Sequence, residues 1–177
     1  MSYDNQIPQK VDPFRFAENG IVLEGVIPVK DLTRLISSLD GSSGEIQVNV
    51  KFGIDEQGTR YMRGDYSTKL ELQCKRCMKP FAFSIDGAIN VGIVAAEDKI
   101  NQLPSGYDAM TVKDGSLIIS EIVEDELIIG LPIVPMHDIE NCNVKLPLES
   151  ASPDIEEVDE RNPFKVIESL RNNRKDK

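Results

Sequence analysis

A run of alternating apolar and polar residues in the first half of the chain constrains its fold more than any other feature. In the first stretch of this run an apolar side chain recurs at every second position: Ile46, Val48, Val50, Phe52 and Ile54. A turn follows at 55–58, and residues 60–73 return with Leu70 and Leu72 on the buried side. Because successive side chains of a β-strand point to opposite faces, each stretch predicts a strand with one buried face.

A third stretch continues the pattern after a break at 74–80. Its apolar side chains again alternate: Phe81, Phe83, Ile85, Ile89, Val91 and Ile93. Gly87 interrupts this alternation and predicts a bulge or bend within one long strand. Three consecutive antiparallel strands joined by short turns form a meander, which is the predicted centre of the fold.

Two helices are expected to pack on this sheet. The first has one apolar face with helical spacing, formed by Leu32, Leu35, Ile36 and Leu39. The second is predicted to begin at the N-cap Ser120 and to end at Gly130, after a surface excursion over 95–116. The predicted fold class is therefore α+β, an antiparallel β-meander sheet with a few short packing helices and flexible termini.

Composition along the chain predicts how it is divided. Two prolines in the opening segment favour an extended conformation, and a later segment holds six acidic side chains and no basic one. Asn162-Pro163 then resembles the start of a short amphipathic helix with basic residues around its end. The predicted divisions are an extended N-terminal arm (1–22), a single α+β domain (23–146), an acidic linker (147–160) and a basic C-terminal helix (161–177).

The net charge of −10 limits the partners of this chain. Such an acidic protein gains no long-range attraction to phosphate, so any contact with RNA must be local. The same charge favours basic partners, including ribosomal proteins. The chain has no apolar stretch long enough to span a membrane, and its N-terminus does not resemble a signal peptide. A cytoplasmic protein without membrane association is expected.

The cysteines and the single histidine form the sharpest local pattern. Cys74 and Cys77 lie on the predicted turn between two strands, and His137 and Cys142 lie far downstream. Three thiolates and one imidazole match the ligand set of a structural zinc ion, so one zinc is the expected cofactor if the two segments converge. The alternative is a set of reduced thiols on unrelated loops. A redox pair is disfavoured, because such pairs lie at the start of a helix.

The templates for catalysis are missing from the sequence. With one histidine the chain offers few nucleophile–base sets, and it has no glycine-rich phosphate loop. We therefore expect no enzymatic activity and no small-molecule substrate. The candidate residues for contact with RNA are Lys75, Arg76, Lys79 and Phe81 on the turn, and Arg171 and Arg174 near the C-terminus. The alternatives are solvated turn charge for the first set and docking on a protein for the second.

Three segments together resemble one protein family. They are 72–81 (LQCKRCMKPF), 123–142 (beginning VEDELIIGLPIVPMHD) and Asn162-Pro163-Phe164 with Leu170. In this order they resemble the YceD family, the large ribosomal RNA subunit accumulation proteins of bacteria and plastids. The similarity extends from Pro8 to Arg174, and the cysteine and histidine positions of the family match those of this chain.

The resemblance implies a role in the synthesis, processing or stability of 23S rRNA, and so in accumulation of the large ribosomal subunit. It carries over no catalytic residues. The implied partners are a pre-ribosomal large-subunit particle, 23S rRNA or a basic ribosomal protein. The alternative function is that of an acidic escort, which binds a basic ribosomal protein and affects the RNA only indirectly.

Overall fold

A five-stranded sheet with helices packed against its buried face forms the centre of the molecule. The computed structural model describes residues 6–112 and 114–142. Their helices and strands follow in the order α1 (Pro13–Glu18), β1 (Val22–Pro28), α2 (Thr33–Ile36), β2 (Glu45–Ile54), β3 (Arg60–Gln73), β4 (Pro80–Val94), β5 (Asp108–Thr111) and α3 (Ile119–Gly130). Short 3-10 turns occupy Val29–Asp31, Glu97–Gln102 and Ile139–Asn141.

The strands lie in the sheet in their sequence order, β1-β2-β3-β4-β5. Neighbours among the first four are antiparallel, whereas β5 is parallel to β4. The three strands predicted from alternation are confirmed as β2, β3 and β4. The sequence did not predict β1, and it placed only a surface excursion where β5 lies. The sheet is therefore mostly, not wholly, antiparallel.

The pairing of β3 with β4 runs unbroken from Arg60 opposite Ile93 to Gln73 opposite Pro80. The prediction of a bulge at Gly87 is therefore wrong. Gly87 lies opposite Tyr66, and a Cβ atom at this position would collide with the phenol of Tyr66. The glycine makes room for a buried ring while the strand continues in register.

The apolar residues that alternate along the strands form the core, together with side chains from all three helices. Phe52, Leu70 and Leu72 are fully buried, whereas Ile54 at the strand end is 46% exposed. Each fully buried large side chain contributes about 1.5–3 kcal/mol of burial free energy. The core of the sheet therefore follows the predicted pattern except at the end of β2 and at the start of β4, where Phe81 and Phe83 are only half-buried.

The first predicted helix is shorter than expected, and the second begins at a different residue. Leu32 and Leu35 are buried as expected, but α2 spans only four residues. The N-cap of α3 is Ile118, which makes no side-chain capping bond, so the predicted cap at Ser120 is wrong. The helix ends at Gly130, as predicted.

The described part of the predicted N-terminal arm, residues 6–22, contributes to the core through Ile7, Val11 and Ala17. The Asp12 side chain caps α1 by accepting the N–H groups of Phe14 and Arg15 at 3.1 and 3.0 Å. Val11 is buried and pairs with Leu117 in an antiparallel bridge. The compact unit that contains the sheet spans Met1–Asn143, so this segment belongs with the sheet.

The predicted acidic linker (147–160) and basic helix (161–177) lie outside the described residues, as do Arg171 and Arg174. Among the helices that the structure describes, none is long and apolar enough to span a membrane.

Candidate metal centre

The chain reverses direction between β3 and β4 in a tight turn over 74–79, here called the Cys turn. The N–H of Cys74 donates to the carbonyl oxygen of Lys79 at 2.9 Å, and the N–H of Met78 donates to that of Cys74 at 2.8 Å. Met78 adopts a left-handed conformation with φ of 59°. The turn thus holds both Cys74 and Cys77 in one short loop closed by backbone hydrogen bonds.

The second half of the site comes from the segment that follows α3. Prolines at 132 and 135 prevent the helix from continuing beyond Gly130. The N–H of Lys75 donates to the carbonyl oxygen of Pro135 at 2.9 Å, which ties this segment to the Cys turn. His137 follows two residues later, and Cys142 ends the 3-10 turn Ile139–Asn141.

The four predicted ligands come together in one place, here called the Cys/His cluster. The potential ligand atoms of Cys74, Cys77, His137 and Cys142 all lie within 4.8 Å of one another. The Sγ of Cys77 lies 3.6 Å from the Nε2 of His137. Tetrahedral zinc, with Zn–S of about 2.3 Å, would place two sulfurs about 3.8 Å apart. The spacing of the cluster fits such an ion.

Backbone hydrogen bonds lower the pKa of the Cys74 thiol and so favour its metal-binding form. Burial by itself would raise the pKa of Cys74, but the backbone N–H groups of Cys77, His137 and Arg76 outweigh it and lower the pKa to about 6. Cys74 is therefore largely a thiolate at neutral pH, the form that binds metals. Burial raises the pKa of Cys77, and the side chains of Cys74 and Cys142 raise it further. A bound cation would relieve this conflict between neighbouring thiolates.

The imidazole of His137 gives an independent test of the fit. Its Nδ1 is buried and has no hydrogen-bond partner among the described residues, while Nε2 lies 2.9 Å from the carbonyl oxygen of Asn141. Buried polar atoms are normally satisfied, so an orphaned ring nitrogen requires an explanation. A metal-binding histidine uses one ring nitrogen as ligand and the other as hydrogen-bond donor. The environment of His137 is consistent with this role.

The predicted contact residues that the structure describes lie next to the Cys/His cluster. Lys75 and Lys79 are exposed, while Arg76 is half-buried, with its Nη2 3.6 Å from the Sδ of Met136. Phe81 is also half-buried, and its ring centre lies 5.4 Å from that of His137. The aromatic ring therefore supports the histidine, and the positive charges face outward.

Sequence reasoning missed an apolar surface next to the cluster. Four apolar side chains at the end of α3 and in the following segment are here called the exposed apolar patch: Ile129, Ile133, Val134 and Ile139. These four, and Met136 beside them, have exposed fractions of 47% or more. A cleft of about 580 Å³ lies between this segment, the end of β3 and residues 37–40. The sequence feature that could have predicted this patch is the apolar run that continues past the helix end at Gly130.

Comparison of the sequence with known proteins identifies the family of this chain. No solved structure matches the chain. A protein of Haemophilus influenzae named "Large ribosomal RNA subunit accumulation protein YceD" is 30% identical over 168 residues, which are 94% of this chain and 97% of the relative. Residues 62–171 match the family model described as large ribosomal RNA subunit accumulation protein YceD. This chain therefore belongs to the YceD family.

Proposed function

We propose that this protein is a cytoplasmic, non-catalytic factor that supports the synthesis, processing or stability of 23S rRNA, and so accumulation of the large ribosomal subunit. The observation that carries the proposal is family membership over most of the chain, including a relative whose name states large ribosomal RNA subunit accumulation. The chemistry of the Cys/His cluster supports a non-catalytic role. Four protein ligands close a structural zinc site, whereas a catalytic zinc keeps a position for water or substrate.

The proposed metal is one structural zinc ion held by Cys74, Cys77, His137 and Cys142. It would join the turn between β3 and β4 to the segment that follows α3, two parts of the chain separated by about 60 residues. Because the unfolded chain lacks this preformed site, the binding free energy becomes folding free energy. The zinc would thus hold the Cys turn in a fixed position.

The proposed contact surface is the set of positive side chains on the Cys turn, Lys75, Arg76 and Lys79. In the part of the chain that the structure describes, none of the three forms an ion pair with a carboxylate. Their charge is therefore free to meet phosphate at short range. At physiological ionic strength the Debye length is about 8 Å, so the negative charge of distant parts of the protein is screened. Backbone hydrogen bonds within the turn reduce the entropic cost of presenting these charges.

A deletion strain tests the proposed function directly. Loss of the protein should lower large-subunit rRNA relative to small-subunit rRNA, and the parent gene should restore the ratio. The ratio should be measured across several growth temperatures, since assembly defects often deepen in the cold. An unchanged ratio at every temperature would contradict the proposal.

A second candidate function is that of an acidic escort for a basic ribosomal protein. It is favoured by the net charge of −10 and by the exposed apolar patch, because large exposed apolar surfaces mark sites of protein association. The proposed partner is a basic ribosomal protein, which the acidic chain would attract. Purification from cells at two salt concentrations separates the two functions. Recovery of RNA favours the first, and recovery of one ribosomal protein without RNA favours the escort.

A further inference from the structure

Two positive side chains face each other on the exposed side of the sheet, far from the Cys turn. Lys51 on β2 lies directly opposite Arg63 on β3, and both are exposed. Like charges directly opposite each other destabilise a strand pair. An anion that lies between or above the two charges would remove this repulsion.

The guanidinium of Arg63 is held between two aromatic rings. Its Cζ lies 4.6 Å from the ring centre of Tyr61 and 4.7 Å from that of Tyr107. Its Nε donates to the Oδ1 of Asn90 at 2.8 Å, and its Nη2 donates to the hydroxyl of Tyr107. These partners are all neutral, and Arg63 makes no ion pair within the described ranges. Its position is fixed by neutral groups, and no carboxylate of the described residues lies within ion-pair distance of it.

Further contacts hold the partners of Arg63 in place. The hydroxyl of Tyr107 donates to the Oδ2 of Asp55 at 2.9 Å, so its oxygen lone pair is directed toward Arg63. Gly53 lies under the ring of Tyr61, and a Cβ atom there would collide with that ring. Gly92 lies under Leu103 and Tyr107, where a Cβ atom would come within 2.8 Å of a Leu103 methyl group and 3.2 Å of the Tyr107 Cβ. The arginine is thus preorganised, which lowers the cost of binding a ligand.

We propose that Lys51 and Arg63 bind a phosphate group of single-stranded RNA. With Nε and one N–H of Nη2 engaged, the remaining N–H groups of the guanidinium can donate to phosphate oxygens in the fork geometry that suits this anion. Lys51 adds a second positive charge from the neighbouring strand. An open sheet face is a surface on which proteins bind single-stranded nucleic acid. The choice of RNA over free phosphate rests on the proposed function.

The site is separate from the contact surface on the Cys turn. Ten residues of β3 lie between Arg63 and Cys74. The two residues are therefore about 36 Å apart, at about 3.3 Å for each step along the strand. The two sites can therefore be tested independently. They would contact phosphates that are far apart along one RNA, and the loss of one site would leave the other in place.

Binding of a labelled, mixed-sequence single-stranded RNA to the full-length, metal-loaded protein tests this proposal. Arg63→Gln should weaken binding about tenfold, and each lost phosphate contact should flatten the salt dependence by about 0.7 units of slope. Lys51→Ala should weaken binding less, since a flexible ammonium makes fewer directed contacts. Lys69→Ala is the matched control, because it removes a positive charge from the same face of β3 without touching the two rings.

Two further variants should change RNA affinity in ways that a damaged fold could not explain. Asp65→Asn removes a carboxylate from the same strand face next to Arg63 and should tighten binding. Arg63→Lys keeps the charge but loses the fork, and should restore only part of the affinity lost in Arg63→Gln. If Arg63→Gln lowers the thermal midpoint, Lys51→Ala decides the matter, because its side chain makes no contact with the rings.

The proposal is overturned if Lys51→Ala and Arg63→Gln bind RNA with the affinity and salt dependence of Lys69→Ala. It is also overturned if inorganic phosphate protects the site while RNA does not bind, since the ligand would then be the free anion. A parent protein that sustains rRNA accumulation in cells but binds no RNA when purified overturns this inference and leaves the proposed function standing.

Discussion

The carboxylate of Glu124 on α3 accepts both the backbone N–H of Arg34 at 2.8 Å and its side-chain Nε at 2.9 Å. It also accepts the N–H of Leu35 at 3.0 Å. These are N–H groups of the first turn of α2, which have no partner within that helix. Glu124 therefore caps α2 from another helix, and this capping joins two short elements that could not be stable separately.

Glu124→Gln should lower the free energy of unfolding by about 2 kcal/mol, since hydrogen bonds to a charged group are lost in a buried place. Chemical denaturation at neutral pH measures the change. Glu121→Gln is the control, because Glu121 is exposed on the same helix. A loss no larger than that of the control would show that the cap contributes little.

The contribution of Glu124 should also depend on pH. Burial raises its pKa, but hydrogen bonds from Leu35 and Arg34 outweigh burial and hold the pKa below its usual value. A carboxyl whose pKa is depressed by folding gives stability that is fully present above the unfolded pKa and is lost as pH falls through the folded value. The difference between parent and Glu124→Gln should therefore narrow below about pH 4.3. A constant difference down to pH 2 would contradict this assignment.

The protein purified without chelator should contain about one zinc per chain by elemental analysis. With free zinc at about 100 times its Kd, the metal adds about 2.7 kcal/mol of stability, or roughly 5–11 °C in Tm for a chain of this size. Cys142→Ser should lose the metal and this stabilisation together. Met136→Leu, a change beside the cluster that removes no ligand, should keep both. Undiminished thermal stability in a metal-free sample would contradict a structural zinc.

Replacement of Lys75, Arg76 and Lys79 by Glu should reduce co-sedimentation with large-subunit precursors about tenfold or more, because the positive charge of the Cys turn is reversed. The reduction should be accompanied by a flatter salt dependence. The matched control carries Glu at the exposed positions Lys10, Lys30 and Lys69, which changes the net charge by the same amount. Equal co-sedimentation of both variants with the parent would make the turn ordinary solvated surface and favour the escort.

Gly87→Ala should destabilise the fold by about 1–3 kcal/mol through collision with the buried phenol of Tyr66. Tyr66→Ala alone should also destabilise it, by leaving a cavity. The double variant should lose less than the sum, since the new methyl group then enters the space vacated by the ring. Simple additivity in denaturation experiments would show that the two residues do not interact.

The amino-acid sequence by itself determined the three central strands and the end of α3. Alternation is a local property, so each buried face of β2, β3 and β4 could be identified without knowledge of its neighbours. Pro132 marks the helix end, because a proline restricts the residue before it to an extended conformation, which Leu131 adopts. The four residues of the Cys/His cluster could be proposed from their side-chain chemistry alone, although their proximity could not.

Only the tertiary structure decided the features that depend on residues distant in the chain. β5 has four residues and is formed because it pairs with β4, and α2 begins where Glu124 on α3 supplies its cap. The side chains that hold Arg63 come from β3, β4 and the loop before β5, so they do not form a local motif in the sequence. Contacts between such distant residues depend on how the elements pack, and a pattern read along the chain contains only the preferences of near neighbours.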